Sequence, residues 1–170
     1  MQEEPLLSDL RDEDKGSLFE LIKSPQVNFY NSSYAPDDWE SFCAWFDAIG
    51  QDNSKRVFAI VISPEQNFAG SITVGNIHPV QKNAKISTVL ANDAYARDID
   101  KEALSEAVDH CWHKLKLNRI YAHCLASNKR EIQTYLSLGF QIEGTLRAHA
   151  CFEGCFHDLK VLGLLLPAGM

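Results

Sequence analysis

No stretch of this chain stays apolar over the ~18 residues that a membrane-spanning helix needs. Residues 1–15 are acidic and polar, with neither the basic start nor the apolar middle of a secretory leader, so a cytoplasmic location with no membrane partner is expected. Cysteine is sparse and odd in number, five residues at irregular spacing, which excludes a disulfide framework and suits reduced thiols. Basic residues are outnumbered, 16 against 23 acidic ones, leaving a formal charge of −7. That balance argues against nucleic acid, which needs a basic stripe, and favours cationic amines as ligands. Repeats, linkers and low-complexity stretches are also missing. What remains is 170 residues, 45% hydrophobic and 23% charged, the composition of one globular domain spanning residues 1–170.

Hydrophobic periodicity places the elements. Leu18, Leu21 and Ile22 mark a first helix over residues 12–23, and Trp39, Phe42, Cys43, Phe46 and Ile49 form one stripe of a second that opens near Pro36-Asp37. Residues 56–62 are a continuous apolar run typical of a buried strand, and residues 68–77 form another strand after the turn at 63–67. A third strand, 84–91, leads through the acidic loop 92–100 into a helix reaching about residue 115, with Leu104, Ala107, Val108, Cys111 and Leu115 facing inward. Strand 119–125, a short helix, strand 141–152 and a last strand over 156–166 complete the chain. Two helices are thus expected ahead of a sheet covered on both faces, an α/β or α+β fold.

The short helix is the most informative segment. Asn128 is placed to cap its first turn, Ile132, Tyr135 and Leu136 share one face, and Gly139 supplies the left-handed position that ends it. Asn128, Tyr135 and Gly139-Phe140, with Glu102-Ala103-Leu104 upstream and Glu143-Gly144, Arg147 and residues 154–158 downstream, resemble the GNAT superfamily of acyl-CoA-dependent N-acetyltransferases. Within it the likeness is to the branch of ribosomal-protein N-terminal acetyltransferases. The resemblance implies a mixed, mostly antiparallel central sheet, splayed into a V where coenzyme A lies, with helices on both faces.

It also implies a site. Acetyl-CoA would be the acyl donor and a primary amine, either a small molecule or a peptide N-terminus, the acceptor attacking it directly. The pyrophosphate would rest on a turn feeding a helix N-terminus, where free N–H groups point outward. By resemblance that grip is Ala96, Arg97, Asp98, Ile99, Asp100 and Lys101, with the family's Arg/Gln, Gly and Gly/Ala positions occupied by Tyr95, Asp98 and Asp100. Strand-end amides at Val89, Leu90 and Ala91 would hold the thioester oxygen, Asn128 would contact the cofactor, and Tyr135 would protonate the leaving thiolate. The carboxylates Asp98, Asp100 and Glu131 motivate a second expectation, a protein of the same fold that has lost turnover and acts by binding or regulation.

His78, His123, His149 and Asp158 are the candidates for a general base, and none is singled out by sequence. His149, Cys151, Cys155 and His157 suggest a zinc site only if a three-residue turn brings them to one face; a two-residue turn at Glu153-Gly154 divides them. Their spacing is unlike a CxxC knuckle, so no metal is expected. A homodimer is carried as an expectation that no residue pattern specifies.

Overall fold

The computed structural model describes residues 6–24, 36–62, 67–91, 99–152 and 154–166. Their elements are β1 (Leu7–Asp9), a 3-10 turn (Asp12–Asp14), α1 (Lys15–Lys23), α2 (Trp39–Ile49), β2 (Arg56–Ile62), β3 (Asn67–His78), β4 (Asn83–Leu90), α3 (Ile99–His113), β5 (Arg119–Leu125), α4 (Lys129–Ser137), β6 (Gln141–Phe152) and β7 (Cys155–Leu165). One difference from expectation is at the start. A strand, β1, precedes the helices and pairs antiparallel with β2 from Leu7↔Ile60 to Asp9↔Phe58. Three residues in an acidic stretch carry no periodic signal. They are held from outside by Glu106 of α3, whose two carboxylate oxygens each accept a backbone N–H, from Leu6 and Leu7, at 3.0 Å.

The seven strands form a sheet in the order β1-β2-β3-β4-β5-β7-β6. Every neighbouring pair is antiparallel except β4 and β5. Alternation along the strands sends Phe58, Ile60, Ile72, Val74, Ile86, Leu90, Ile120, Ala122 and Cys124 to the face covered by α3 and α4. There they pack with Ala103, Leu104, Ala107 and Cys111 of α3 and with Ile132 and Tyr135 of α4. The opposite face carries α1 and α2, which form their own cluster of Leu18, Ile22, Phe42 and Phe46. Helices therefore cover both faces, as expected.

The parallel ladder between β4 and β5 is short. Its pairs are Asn83↔Arg119, Ala84↔Ile120 and Lys85↔Tyr121, although β4 continues to Leu90 and β5 to Leu125. On their outer sides both strands stay paired to the end, β4 with β3 as far as Gly70↔Leu90, and β5 with β7 as far as Leu125↔Leu159. The sheet thus divides after Lys85 and Tyr121, and a cleft opens in which the backbone groups of residues 86–90 and 122–125 are not satisfied by each other.

Candidate active site

The β4 wall of the cleft is selected by strand alternation. The Ala91 N–H donates to Ala69 O of β3 at 2.9 Å, so Ala91, and Val89 two residues before it, direct their backbone groups toward β3. Leu90 lies between them and directs its N–H into the cleft. Of the three amides expected to hold an oxyanion, Ala91's is already committed and Leu90's is presented. The tight seating of β3 on this strand end depends on Gly70, because a Cβ there would overlap Val89 O and lie 2.9 Å from Leu90 Cδ2.

The chain from β4 leads into the N-terminus of α3. Ala96, Arg97 and Asp98 of the expected phosphate grip lie outside the described residues, as do Tyr95, the turn at 63–66 and Glu153. Ile99 and Asp100 form the first turn of α3 and are buried, and Lys101 is exposed. Asp100 is not turned outward as a free charge. Its Oδ2 accepts the Thr134 hydroxyl at 2.9 Å, tying α3 to α4. Thr134 was not singled out by sequence, since a contact across 34 residues leaves no local signal.

On α4 the expected cap is present. Asn128 Oδ1 accepts from the Glu131 N–H at 3.3 Å, and Asn128 Nδ2 donates to Glu131 Oε2 at 2.9 Å, a reciprocal arrangement related to the capping box. Burial pushes the Glu131 carboxyl up to about 7, with Asp100 adding to the rise and hydrogen bonds from Cys124 and Asn128 opposing it. The negative charge expected at 131 is therefore only partial at neutral pH. Burial also raises the Cys124 thiol above its ordinary value. Tyr135, one full turn beyond Glu131, is completely buried against the edge of Phe140, with ring centroids 4.9 Å apart at 73°. Gly139, at φ +90°, ends the helix in the left-handed conformation. Asn128, Glu131 and Tyr135 share the face of α4 that looks toward β5 and α3.

The other face of the cleft has a different lining. Lys85, Ser87 and Val89 of β4 and Tyr121 and His123 of β5 alternate with the core positions and point toward the α1/α2 side. A cavity of about 260 Å³ lies there, bounded by Leu18, Ile22 and Trp45 of α1 and α2 and by Ser71, Thr73, Ser87 and Val89 of the sheet. His123 is half-buried, 5.7 Å from the Tyr121 ring and 6.5 Å from the His149 ring of β6. Burial lowers its pKa, and the positive Lys85 and neighbouring His149 lower it further.

The other base candidates are placed elsewhere. His78 is exposed and its Nδ1 accepts the Gln81 N–H at 3.1 Å, while Asp158 accepts the Ala148 N–H at 2.8 Å. At the β6–β7 hairpin the register is Cys151↔Phe156 and Phe152↔Cys155, so the turn has two residues and Cys151 lies on the face opposite Cys155 and His157. Among the described residues no three His, Cys, Asp or Glu side chains are grouped to hold a metal ion.

The sheet is parted between two parallel strands, with the N-terminus of α3 beyond one and the buried Tyr135 beside the other. The chain matches the acetyltransferase (GNAT) domain over residues 6–141 and belongs to that family. It is similar to a spermidine N(1)-acetyltransferase of Vibrio cholerae, 25% identical over 114 residues that cover 67% of this chain and 65% of that protein, just under two thirds of the relative's length. A ribosomal-protein-serine acetyltransferase of Escherichia coli strain K12 is 24% identical over 108 residues, covering 64% of this chain and 60% of that protein. The crystal structure of the Vibrio cholerae spermidine N-acetyltransferase in complex with CoA and spermine shares the fold, with a TM-score of 0.90, 20% identity and 95% coverage of both chains.

Proposed function

We propose that this protein transfers the acetyl group of acetyl-CoA to a primary amine, with small polyamines as the leading acceptor class. The observation that carries the reading is the cleft between β4 and β5, with the Leu90 N–H on one wall and α4, bearing Asn128 and Tyr135, beside the other. The thioester carbonyl oxygen would accept from Leu90, the diphosphate would meet the first turn of α3, and Asn128 would contact the donor beside Glu131. Tyr135 would protonate the departing thiolate as the general acid.

The polyamine choice is supported by the net charge of −7 and by likeness to spermidine acetyltransferases. Likeness to a ribosomal-protein acetyltransferase supports a peptide N-terminus as the second acceptor class, the branch that the sequence motifs resemble. Loss of turnover is the weaker reading. Asp100 is buried and accepts the Thr134 hydroxyl, which ties α3 to α4, and burial raises the Glu131 carboxyl to about 7, so both carboxylates have a place in the packing of α3 and α4.

The test is an acetyl-CoA assay against spermidine, spermine and a Ser-initiated peptide, with Tyr135→Phe beside the wild type. Turnover with a polyamine is expected, and Tyr135→Phe should lower kcat by about 10²-fold while leaving the KM for acetyl-CoA near the wild-type value. A wild-type protein that binds acetyl-CoA and acetylates none of the three would establish the binding-protein reading instead.

A further inference from the structure

We propose that His123 is the general base that takes the proton from the acceptor ammonium. The inference rests on the transferase reading above and adds the residue that reading lacks. Three placements carry it. First, His123 lies on β5 two residues beyond Tyr121, the last residue of that strand paired with β4, so its side chain stands at the opening of the cleft. Second, it occupies the face of β5 opposite Ala122 and Cys124, which belong to the core beneath α3 and α4 together with Tyr135. His123 and Tyr135 thus lie on opposite faces of the sheet on either side of β5. Third, a cavity beneath α1 and α2, lined by Val57 of β2, Ser71 and Thr73 of β3 and Ser87 and Val89 of β4, lies on the same face of the sheet as His123 and borders the β4 wall of the cleft.

The groups around His123 favour an imidazole with a free lone pair. From β4 it faces Lys85, from β6 His149, from its own strand Tyr121, and from β7 the apolar Val161 directly opposite. Lys85 and a protonated His149 both resist a further positive charge, and half-burial does the same. None of these side chains is a carboxylate. The same desolvation and the same Lys85 charge lower the pKa of an ammonium bound alongside, so proton donor and acceptor shift together. His149 is exposed at the rim and is not needed as a base in this arrangement.

The step balances without a further reagent. The acceptor R–NH3+ gives one proton to the His123 imidazole, and the freed nitrogen lone pair forms the C–N bond at the thioester carbonyl. As the tetrahedral oxyanion collapses, the C–S bond breaks and the sulfur leaves with its electron pair, taking a proton from Tyr135. The second nitrogen proton returns to the Tyr135 oxygen, leaving a neutral amide and a thiol. His123 then releases its proton to solvent.

The experiment measures pH profiles of kcat and kcat/KM with spermine for wild type, His123→Gln, His123→Ala with and without imidazole, and His149→Gln. The wild-type acidic limb should fall at or below the ordinary histidine pKa of about 6.5. His123→Gln should lower kcat by roughly 10²-fold and abolish that limb, leaving the acetyl-CoA-dependent rise in Tm intact. Imidazole should restore part of the His123→Ala rate, and His149→Gln should stay within about threefold of wild type by the same criterion. A His123→Gln enzyme with wild-type kcat and an unchanged limb overturns the proposal while leaving the transferase reading in place. A wild-type limb near the pKa of a free amine, about 10, overturns it without recourse to any variant, because the acceptor would then arrive already deprotonated. A wild type that acetylates no amine overturns both.

Discussion

At position 131 a carboxylate sits where the first turn of α4 meets Cys124 of β5 and Asp100 of α3. Its pKa in the folded protein, about 7, lies above the ordinary 4.5, so between these values the native state holds more protons than the unfolded chain. Stability from this group is therefore fully present below about pH 4.5 and declines as pH rises toward 7. Glu131→Gln keeps a partner for Asn128 Nδ2 and removes the titration. It should raise stability at pH 8 by on the order of 2 kcal/mol, and flatten the fall in Tm between pH 5 and 8. Thermal unfolding across that range checks it; parallel Tm curves for variant and wild type would show that Glu131 ionises freely in the fold. Asn128 and Tyr135 were legible in sequence because cap and helix face are local signals. The destination of Asp100 was not, because the Thr134 hydroxyl that donates to it belongs to a different helix.

At the scale of elements, apolar runs and alternation located the strands β2 to β7 and the helices, because burial on one or both faces writes itself into residue order. β1 left no such trace, being three residues held by Glu106 from α3. The parting of β4 from β5 was equally unreadable. Whether two parallel strands separate after three pairs depends on what each holds on its far side, here β3 and β7. Gly70 joins these two levels. Its bare Cα lets β3 close onto the end of β4, and that closure commits the Ala91 N–H and leaves the Leu90 N–H to the cleft. The obstacle to a side chain there is the Val89 carbonyl, part of the backbone, so relief requires the strands to separate. Gly70→Ala should cost about 1–3 kcal/mol and lower kcat more than it raises the KM for acetyl-CoA. Chemical denaturation beside steady-state kinetics provides the check, and a variant with full stability would mean that β4 shifts without strain.

For the whole molecule the governing quantity is the net charge of −7, which acts in opposite senses on the proposed polyamine acceptor and on the acyl donor. A polyamine is drawn toward the surface and a polyanionic acyl donor is repelled by it. The charge is unevenly available: Lys15 already bridges Asp47 at 2.8 Å and Asp12 at 3.6 Å beside a cavity of about 500 Å³ that also presents Asp9, Lys55 and Arg56. Attraction therefore comes from the summed field more than from one acidic pair, and a summed field is what salt screens. The Debye length falls from roughly 10 Å at 0.1 M to about 3 Å at 1 M. Raising ionic strength across this range should lower kcat/KM for spermine several-fold, leave a monoamine of similar length less affected, and hold or raise kcat/KM for acetyl-CoA. Opposed salt slopes for the two substrates are the signature, because a general loss of structure would depress both. If spermine and the monoamine respond alike, the acidic surface plays no part in choosing the acceptor, and selection falls to the shape of the cavity beneath α1 and α2.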